Sequence, residues 1–234
     1  MRSAMLFAAS AIGLLAACSQ PSPTDSPIAS DDPTEEAASA APAAAGSGPT
    51  FDCTKADSDI EELVCATPEF GAMDRELARL FALAEKGVSN DAARLGELKA
   101  TQRGWIKGRN ECWKADDKKQ CVMTSYAMRI HELRQGYVNS RSADDAGASM
   151  GPVALACKGL DFGISATFIQ TDPGAVYLEW KDSSLALAHV PSGSGAKYEG
   201  IWDGKQTTLF TQGNEAMLTL PGEPERSCTI DEIG

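Results

Sequence analysis

Between residues 51 and 138 the apolar positions recur with a helical period. Ile60, Leu63 and Val64 make a short stripe. Met73, Leu77, Leu80, Phe81 and Ala84 then fall at the i, i+4, i+7, i+8 and i+11 positions of one helix face. Leu95, Leu98, Gln102, Trp105 and Ile106 repeat the pattern, and Val122, Tyr126, Ile130, Leu133 and Tyr137 do so once more. Thr67 and Pro68 read as N-cap and first residue of the second segment, Gly87 closes it, and Asp91 lies near the start of the third. Three longer helices and a short leading one, with short connections, predict a small antiparallel bundle.

Beyond residue 150 the period drops to two. Phe162, Ile164, Ala166 and Phe168 alternate with polar or small residues, as do Val176, Leu178 and Trp180, and then Leu185, Leu187 and His189. Leu209 to Thr211 and Ala216 to Leu220 follow, and Asp-Pro-Gly, Gly-Ser-Gly and Asp-Gly-Lys turns separate the runs. Seven or eight short antiparallel strands predict a small barrel or sandwich. The fold class is therefore multidomain α and β, a small disulfide-containing helical bundle followed by a small antiparallel β-barrel of about eight strands. Residues 139–150, rich in Ser, Ala, Asp and Gly, read as a linker, which puts the helical module at 51–138 and the β module at 151–234.

The first 50 residues obey neither period. Residues 1–17 carry Arg2 and then an apolar run from Met5 to Ala17, the pattern of a signal peptide and too short to span a bilayer. The run ends Leu15-Ala16-Ala17-Cys18, which resembles a bacterial lipobox. That resemblance implies acylation of Cys18 and attachment to a membrane, with Ser19 favouring the outer membrane in Gram-negative sorting. The alternative is an ordinary signal peptide with a chance cysteine. Residues 18–50 are mostly Ala, Pro, Ser, Asp, Thr, Glu and Gly, with Ile28 the one large apolar residue. Such a stretch buries too little surface to offset its ordering entropy and reads as a disordered acidic tether.

Cysteine parity supports the anchor. The chain has seven cysteines, so an intramolecular pairing scheme leaves one over. With Cys18 acylated, six remain for an oxidising compartment. Cys112 and Cys121 flank the loop between the third and fourth helices, where a disulfide would clamp a helical hairpin. Cys53 and Cys65 are then the remaining pair of the bundle, although a full helix between them would hold them too far apart. Four cysteines allow three connectivities, and these stay open. Cys157 and Cys228 would staple the two ends of the β module. A zinc site is the rival use, but no CxxC pair or accompanying histidine is present.

Charge narrows the partners. The formal net charge is −12, from 21 Lys and Arg against 33 Asp and Glu, which argues against nucleic acid and for a basic partner or simple solubility. The acidity is uneven. Residues 51–150 are net −2, residues 151–234 net −6, and the first 50 residues net −4. No Ser-His-Asp spacing, HExxH or phosphate loop occurs, so the chain does not read as an enzyme and calls for no cofactor or metal. His131, on an Arg-rich helix, and His189, alternating with Leu187, read as structural.

Two resemblances sharpen this. Glu61-Glu62-Leu63-Val64-Cys65, Met73-Asp74-Arg75-Glu76-Leu77, Gln102-x-x-Trp105-x-x-x-Arg109-x-x-Cys112 and Tyr126-x-x-Arg129-Ile130 resemble the LprI N-terminal family of small helical, cysteine-containing secreted domains. One lipoprotein lineage of that family is associated with lysozyme inhibition. It implies a fold and no defined active site, and Trp105 with Arg109 reads as core packing plus a stabilising cation. Further on, Ala156-Cys157, Leu185-Ala186-Leu187, Ser192-Gly-Ser194-Gly195-Ala-Lys197-Tyr198, Trp202, Gln212-Gly213-Asn214-Glu215-Ala216 and Cys228 resemble the MliC/PliC family of membrane-bound and periplasmic inhibitors of c-type lysozyme.

The second resemblance implies a mechanism. The loop from Ser192 to Tyr198 would enter the lysozyme cleft, with Ser194 as the principal hydroxyl, Ser192 beside it, the Gly195 backbone close to the partner, and Lys197 and Tyr198 as a basic-aromatic pair in which Tyr198 either supports the loop or touches lysozyme. One departure stands out. Gln212 occupies a position where family members often carry lysine, which implies weaker affinity or a shifted lysozyme preference. The expected function is inhibition of host c-type lysozyme, a basic protein, from the bacterial envelope, lipid-anchored at the outer membrane and facing the periplasm. The competing reading is an envelope binding or adhesion module that keeps the barrel without the inhibition.

Overall fold

The computed structural model describes residues 48–141 and 147–232. The expected signal peptide, Cys18 and nearly all of the expected tether lie outside the described residues. Among the described residues no helix is long and apolar enough to cross a membrane.

The helical part runs in the predicted order. A 3-10 turn at Cys53–Lys55 leads to α1 (Asp59–Ala66), α2 (Pro68–Gly87), α3 (Ala92–Asn110), a second 3-10 turn at Glu111–Lys114, α4 (Lys118–Gly136) and the short α5 (Val138–Arg141). Side chains set most of the starts. Ser58, Asp91 and Asp117 each accept a backbone N–H of the first turn they cap, satisfying donors that have no helical partner. Thr67 caps α2 by position only, since its side chain makes no capping bond and Pro68 supplies the fixed φ of the first turn. Ile60, Val64, Met73, Leu77, Leu80, Leu98, Tyr126, Ile130 and Leu133 converge in one core. Residues 139–141 continue as α5 and residues 149–150 already belong to the first strand.

Among the described residues three disulfides are present: Cys53–Cys65, Cys112–Cys121 and Cys157–Cys228. The first has a simple geometric basis. Only the eight residues of α1 are helical, and the chain before them folds back, so the Cα atoms of Cys53 and Cys65 stand 5.9 Å apart. The third joins residues 71 apart in sequence and contributes on the order of 4 kcal/mol in the loop-closure picture, more than either short loop.

The β part is a closed antiparallel barrel with neighbours in sequence order. Its strands are β1 (Ser149–Cys157), β2 (Ile164–Ile169), β3 (Ala175–Trp180), β4 (Ser183–Val190), β5 (Ala196–Trp202), β6 (Lys205–Gln212), β7 (Glu215–Thr219) and β8 (Arg226–Glu232). Closure pairs β1 with β8, with Cys157 opposite Cys228, and leaves no open sheet edge. Leu155, Ile164, Val176, Leu178, Leu185, Leu187, Leu209 and Leu218 fill the interior.

The helical part and the barrel share a wall. On β2, β3 and β4 the outward-facing residues Ile169, Ala175, Tyr177 and Ala186 are buried in the helical core, because α4 lies across these strands. A barrel cut free of α4 would expose these apolar residues. Polar contacts stitch the seam. Glu76 accepts Ala148 N–H at 3.1 Å and the Ser149 hydroxyl, Arg134 Nε donates to the Gly151 carbonyl at 2.5 Å, and Gln120 donates to the Ala186 carbonyl at 3.1 Å.

Candidate inhibitory loop at the barrel rim

Antiparallel order decides which connections share a barrel end. The β4–β5 loop, the β6–β7 turn and the β2–β3 turn lie at one end, together with the entry to β1 and the exit of β8. Pro191 to Gly195 project there and are exposed. Ala196 pairs with Thr211, so the residues one step beyond them, Gly195 and Gln212, meet at the rim. The structure thus brings Ser192, Ser194, Gly195, Lys197 and Gln212 to one end of the barrel.

Tyr198 has a different setting. It points inward, 7% exposed, with its ring 5.8 Å from Phe168 and edge-on to His189 at 5.4 Å. Burial raises its phenol pKa above the ordinary value. It lines a cavity of about 570 Å³ at the barrel mouth with Met150, Phe168, Thr211 and Asn214. Tyr198 therefore supports the base of the loop from within, and His189 is packing against it.

Backbone and side chains fix the loop. Gly195 adopts φ +65°, and a Cβ there would come within 2.3 Å of the Thr211 carbonyl oxygen and 3.0 Å of Phe210 Cζ. Only glycine fits that seat. The Ser192 hydroxyl lies 3.1 Å from the Ser194 carbonyl and 2.9 Å from that of Gly195, turning inward to hold the loop on itself. Ser194, by contrast, leaves its exposed hydroxyl unengaged by any hydrogen bond within the described chain.

Lys197 lies on the outer face, opposite Phe210 on β6 and Val190 on β4. Its ammonium contacts Glu199 Oε1 at 2.5 Å. Sequence reasoning overlooked Glu199, although residues two apart on a strand share a face and the pair was readable on that ground. Chemically the rim offers one free hydroxyl, one ammonium held by a carboxylate it can exchange, and one neutral amide. Among the described residues no cluster of His, Cys, Asp and Glu could hold a metal ion.

In the helical part Trp105 and Arg109 are core residues. Trp105 donates from Nε1 to the Ser125 carbonyl at 3.0 Å, and Arg109 donates to the Tyr126 hydroxyl at 2.8 Å.

The architecture is thus a disulfide-bearing helical unit docked on a closed eight-stranded barrel with an exposed Ser-Gly loop. Family comparison places both parts in a class, that of lysozyme-inhibitor proteins, in the same order. The lysozyme inhibitor LprI family model matches residues 53–144, and the family described as membrane-bound lysozyme-inhibitor of c-type lysozyme, MliC, matches residues 156–226. Lipoprotein LprI from Mycobacterium tuberculosis (strain ATCC 25618 / H37Rv) and from Mycobacterium bovis (strain ATCC BAA-935 / AF2122/97) are each 30% identical over 154 residues, which is 64% of this chain and 71% of the relative. The chain belongs to the LprI family, with an MliC-type barrel as its second part. No solved structure matches it significantly. Both families are lysozyme-inhibitor families, which supports inhibition of c-type lysozyme in general and a non-enzymatic role. Their names, lipoprotein and membrane-bound, point to the cell envelope.

Proposed function

We propose that the protein blocks c-type lysozyme by inserting the loop from Ser192 to Tyr198 into the active-site cleft. The observation that carries the reading is the free Ser194 hydroxyl, presented on a braced loop at the open end of the barrel. Glycoside hydrolysis of this type uses one protonated and one ionised carboxyl group across the scissile bond. A hydroxyl can accept from the first and donate to the second, so Ser194 suits both partners at once. Lys197 then exchanges Glu199 for a cleft carboxylate, and Gln212 adds a neutral hydrogen bond from the adjacent turn. No bond is made or broken; occupation of the cleft suffices.

Charge favours the encounter. The barrel segment, 151–234, is net −6, and a basic lysozyme is steered towards it at low salt. Anchoring through an acylated Cys18, with residues 18–50 as tether, residues 51–138 and 151–234 as the folded modules and residues 139–150 between them, would keep the inhibitor at the outer membrane, facing the periplasm.

The direct test is inhibition of hen-type lysozyme by the full chain carrying Ser194→Ala. A loss of about tenfold or more in affinity is expected, the scale of one charge-assisted hydrogen bond in a desolvated site. Undiminished inhibition would remove the loop mechanism and move the inhibition to another surface, whereas no inhibition by the unaltered chain would leave the adhesion reading.

A further inference from the structure

We infer that Ser192 is a positioning residue: its hydroxyl preorganises the loop so that Ser194 is presented correctly, and it does not itself bind lysozyme. The inference rests on the loop-insertion reading and adds a division of labour between the two serines. A hydroxyl has a single proton. At Ser192 that proton is directed into the loop, where the carbonyls of Ser194 and Gly195 share it at 3.1 and 2.9 Å. Both acceptors belong to the residues whose placement matters. The Ser194 carbonyl carries the peptide that orients the Ser194 side chain, and Gly195 is the hinge seated on β6.

A hydrogen-bond brace and close backbone packing converge on those two residues. Ser192 ties the loop from above. Below, the Gly195 backbone rests where a Cβ would strike the Thr211 carbonyl at 2.3 Å. Beside it stands the Phe210 ring, with Cζ and Cε2 at 3.0 and 3.2 Å from that Cβ position. Pro191 removes backbone freedom at the point of entry. Five exposed residues containing two glycines would otherwise sample many shapes, and ordering them on binding would cost affinity. The brace places that cost in folding instead. It explains why two serines occur in a loop where the contact needs one.

The test is a double-mutant cycle on the full chain with hen-type lysozyme: wild type, Ser192→Ala, Ser194→Ala and the double variant, with Ser192→Thr as rescue. Ser192→Ala is expected to weaken binding about two- to tenfold, through faster dissociation, with an unchanged thermal midpoint because the site is exposed. Ser192→Thr, which keeps the hydroxyl, should restore most of it. In the Ser194→Ala background Ser192→Ala should cost almost nothing, since the group it positions is gone. In the free protein, amide order parameters of residues 192–195 should fall in Ser192→Ala and recover in Ser192→Thr.

Additive losses from the two serines, or wild-type affinity in Ser192→Ala, would overturn the inference and leave loop insertion standing. Full inhibition by Ser194→Ala would overturn the insertion reading and the inference with it.

Discussion

The helical part and the barrel solve the same packing problem with opposite chemistry. Among the described residues the helical part buries Asp74, Glu76, Arg109, Arg129, His131 and Arg134, whereas the barrel buries no carboxylate, ammonium or guanidinium, only Ser149, Thr167 and Thr207 of its polar residues. Charges inside the helical part are linked. Thr50 donates N–H and hydroxyl to Asp74 at 2.7 and 2.6 Å, Tyr126 donates to the same carboxylate at 2.9 Å, and Arg109 donates to Tyr126 at 2.8 Å. Such a network specifies one arrangement of α2, α3 and α4 but tolerates no missing member. The barrel relies on closure, an apolar interior and a long-range disulfide. It can therefore carry exposed, partly unsatisfied groups at its rim, where recognition needs them, without weakening its core.

Removing a network member should produce the largest effect. Asp74→Ala leaves the Arg109 guanidinium without its nearby buried carboxylate, the Tyr126 hydroxyl without its acceptor and Thr50 without an anchor. A loss of about 3–5 kcal/mol is expected, read as a lower denaturant midpoint at neutral pH. A change under about 1 kcal/mol would show that the network is ornamental and would erase the contrast between the two parts.

Acid should strike the seam next. His131, fully buried on α4, holds Thr167 of the barrel through Nδ1 at 2.8 Å and packs on Tyr177 at 4.9 Å. The Glu179 carboxylate lies 3.3 Å from Nε2 but makes no hydrogen bond to it. Burial dominates and pushes the imidazole pKa down to about 4. The unfolded chain binds a proton near 6.5 while the folded chain refuses it until about 4, so the unfolded state holds more protons in that window. Stability is complete above pH 7 and falls as pH drops through 6.5 towards 4, by on the order of 3 kcal/mol at 1.36 kcal/mol per pKa unit. His131→Gln, which can keep a bond to Thr167, should flatten that slope. An equal slope in the variant would move the acid sensitivity elsewhere.

Legibility also divided between the parts. Helical periodicity located α1 to α4, although α4 is buried on more than its one apolar stripe, and alternation located β2, β3 and β4 although α4 covers their outer face. What the sequence concealed was the shared wall. Phe168-Ile169, Ala175 to Leu178 and Leu185 to Ala188 are short apolar runs that signal burial on both faces without naming the covering element. The rim was partly readable. Motif resemblance pointed to Ser194, Lys197 and Gln212, and the register brings their segments together. The inward turn of the Ser192 hydroxyl, the Glu199 partner of Lys197 and the Phe210 support under Gly195 all depend on side-chain direction and loop shape, which spacing does not encode.

The smallest prediction probes the barrel alone. Thr207 on β6 is fully buried, and its hydroxyl has no hydrogen-bond partner. Unlike Asp74 or Tyr126, whose buried oxygens are hydrogen-bonded, it is a desolvated group giving nothing back. Thr207→Val keeps the shape and the branching while deleting the stranded hydroxyl. Removing an unpaired buried hydroxyl in this way should be neutral or stabilise by up to about 1 kcal/mol. Lysozyme affinity should not move, because Thr207 pairs with Gly200 towards the end of the barrel away from the loop. A loss above about 1 kcal/mol in Thr207→Val would mean that the barrel, like the helical part, depends on a buried polar contact.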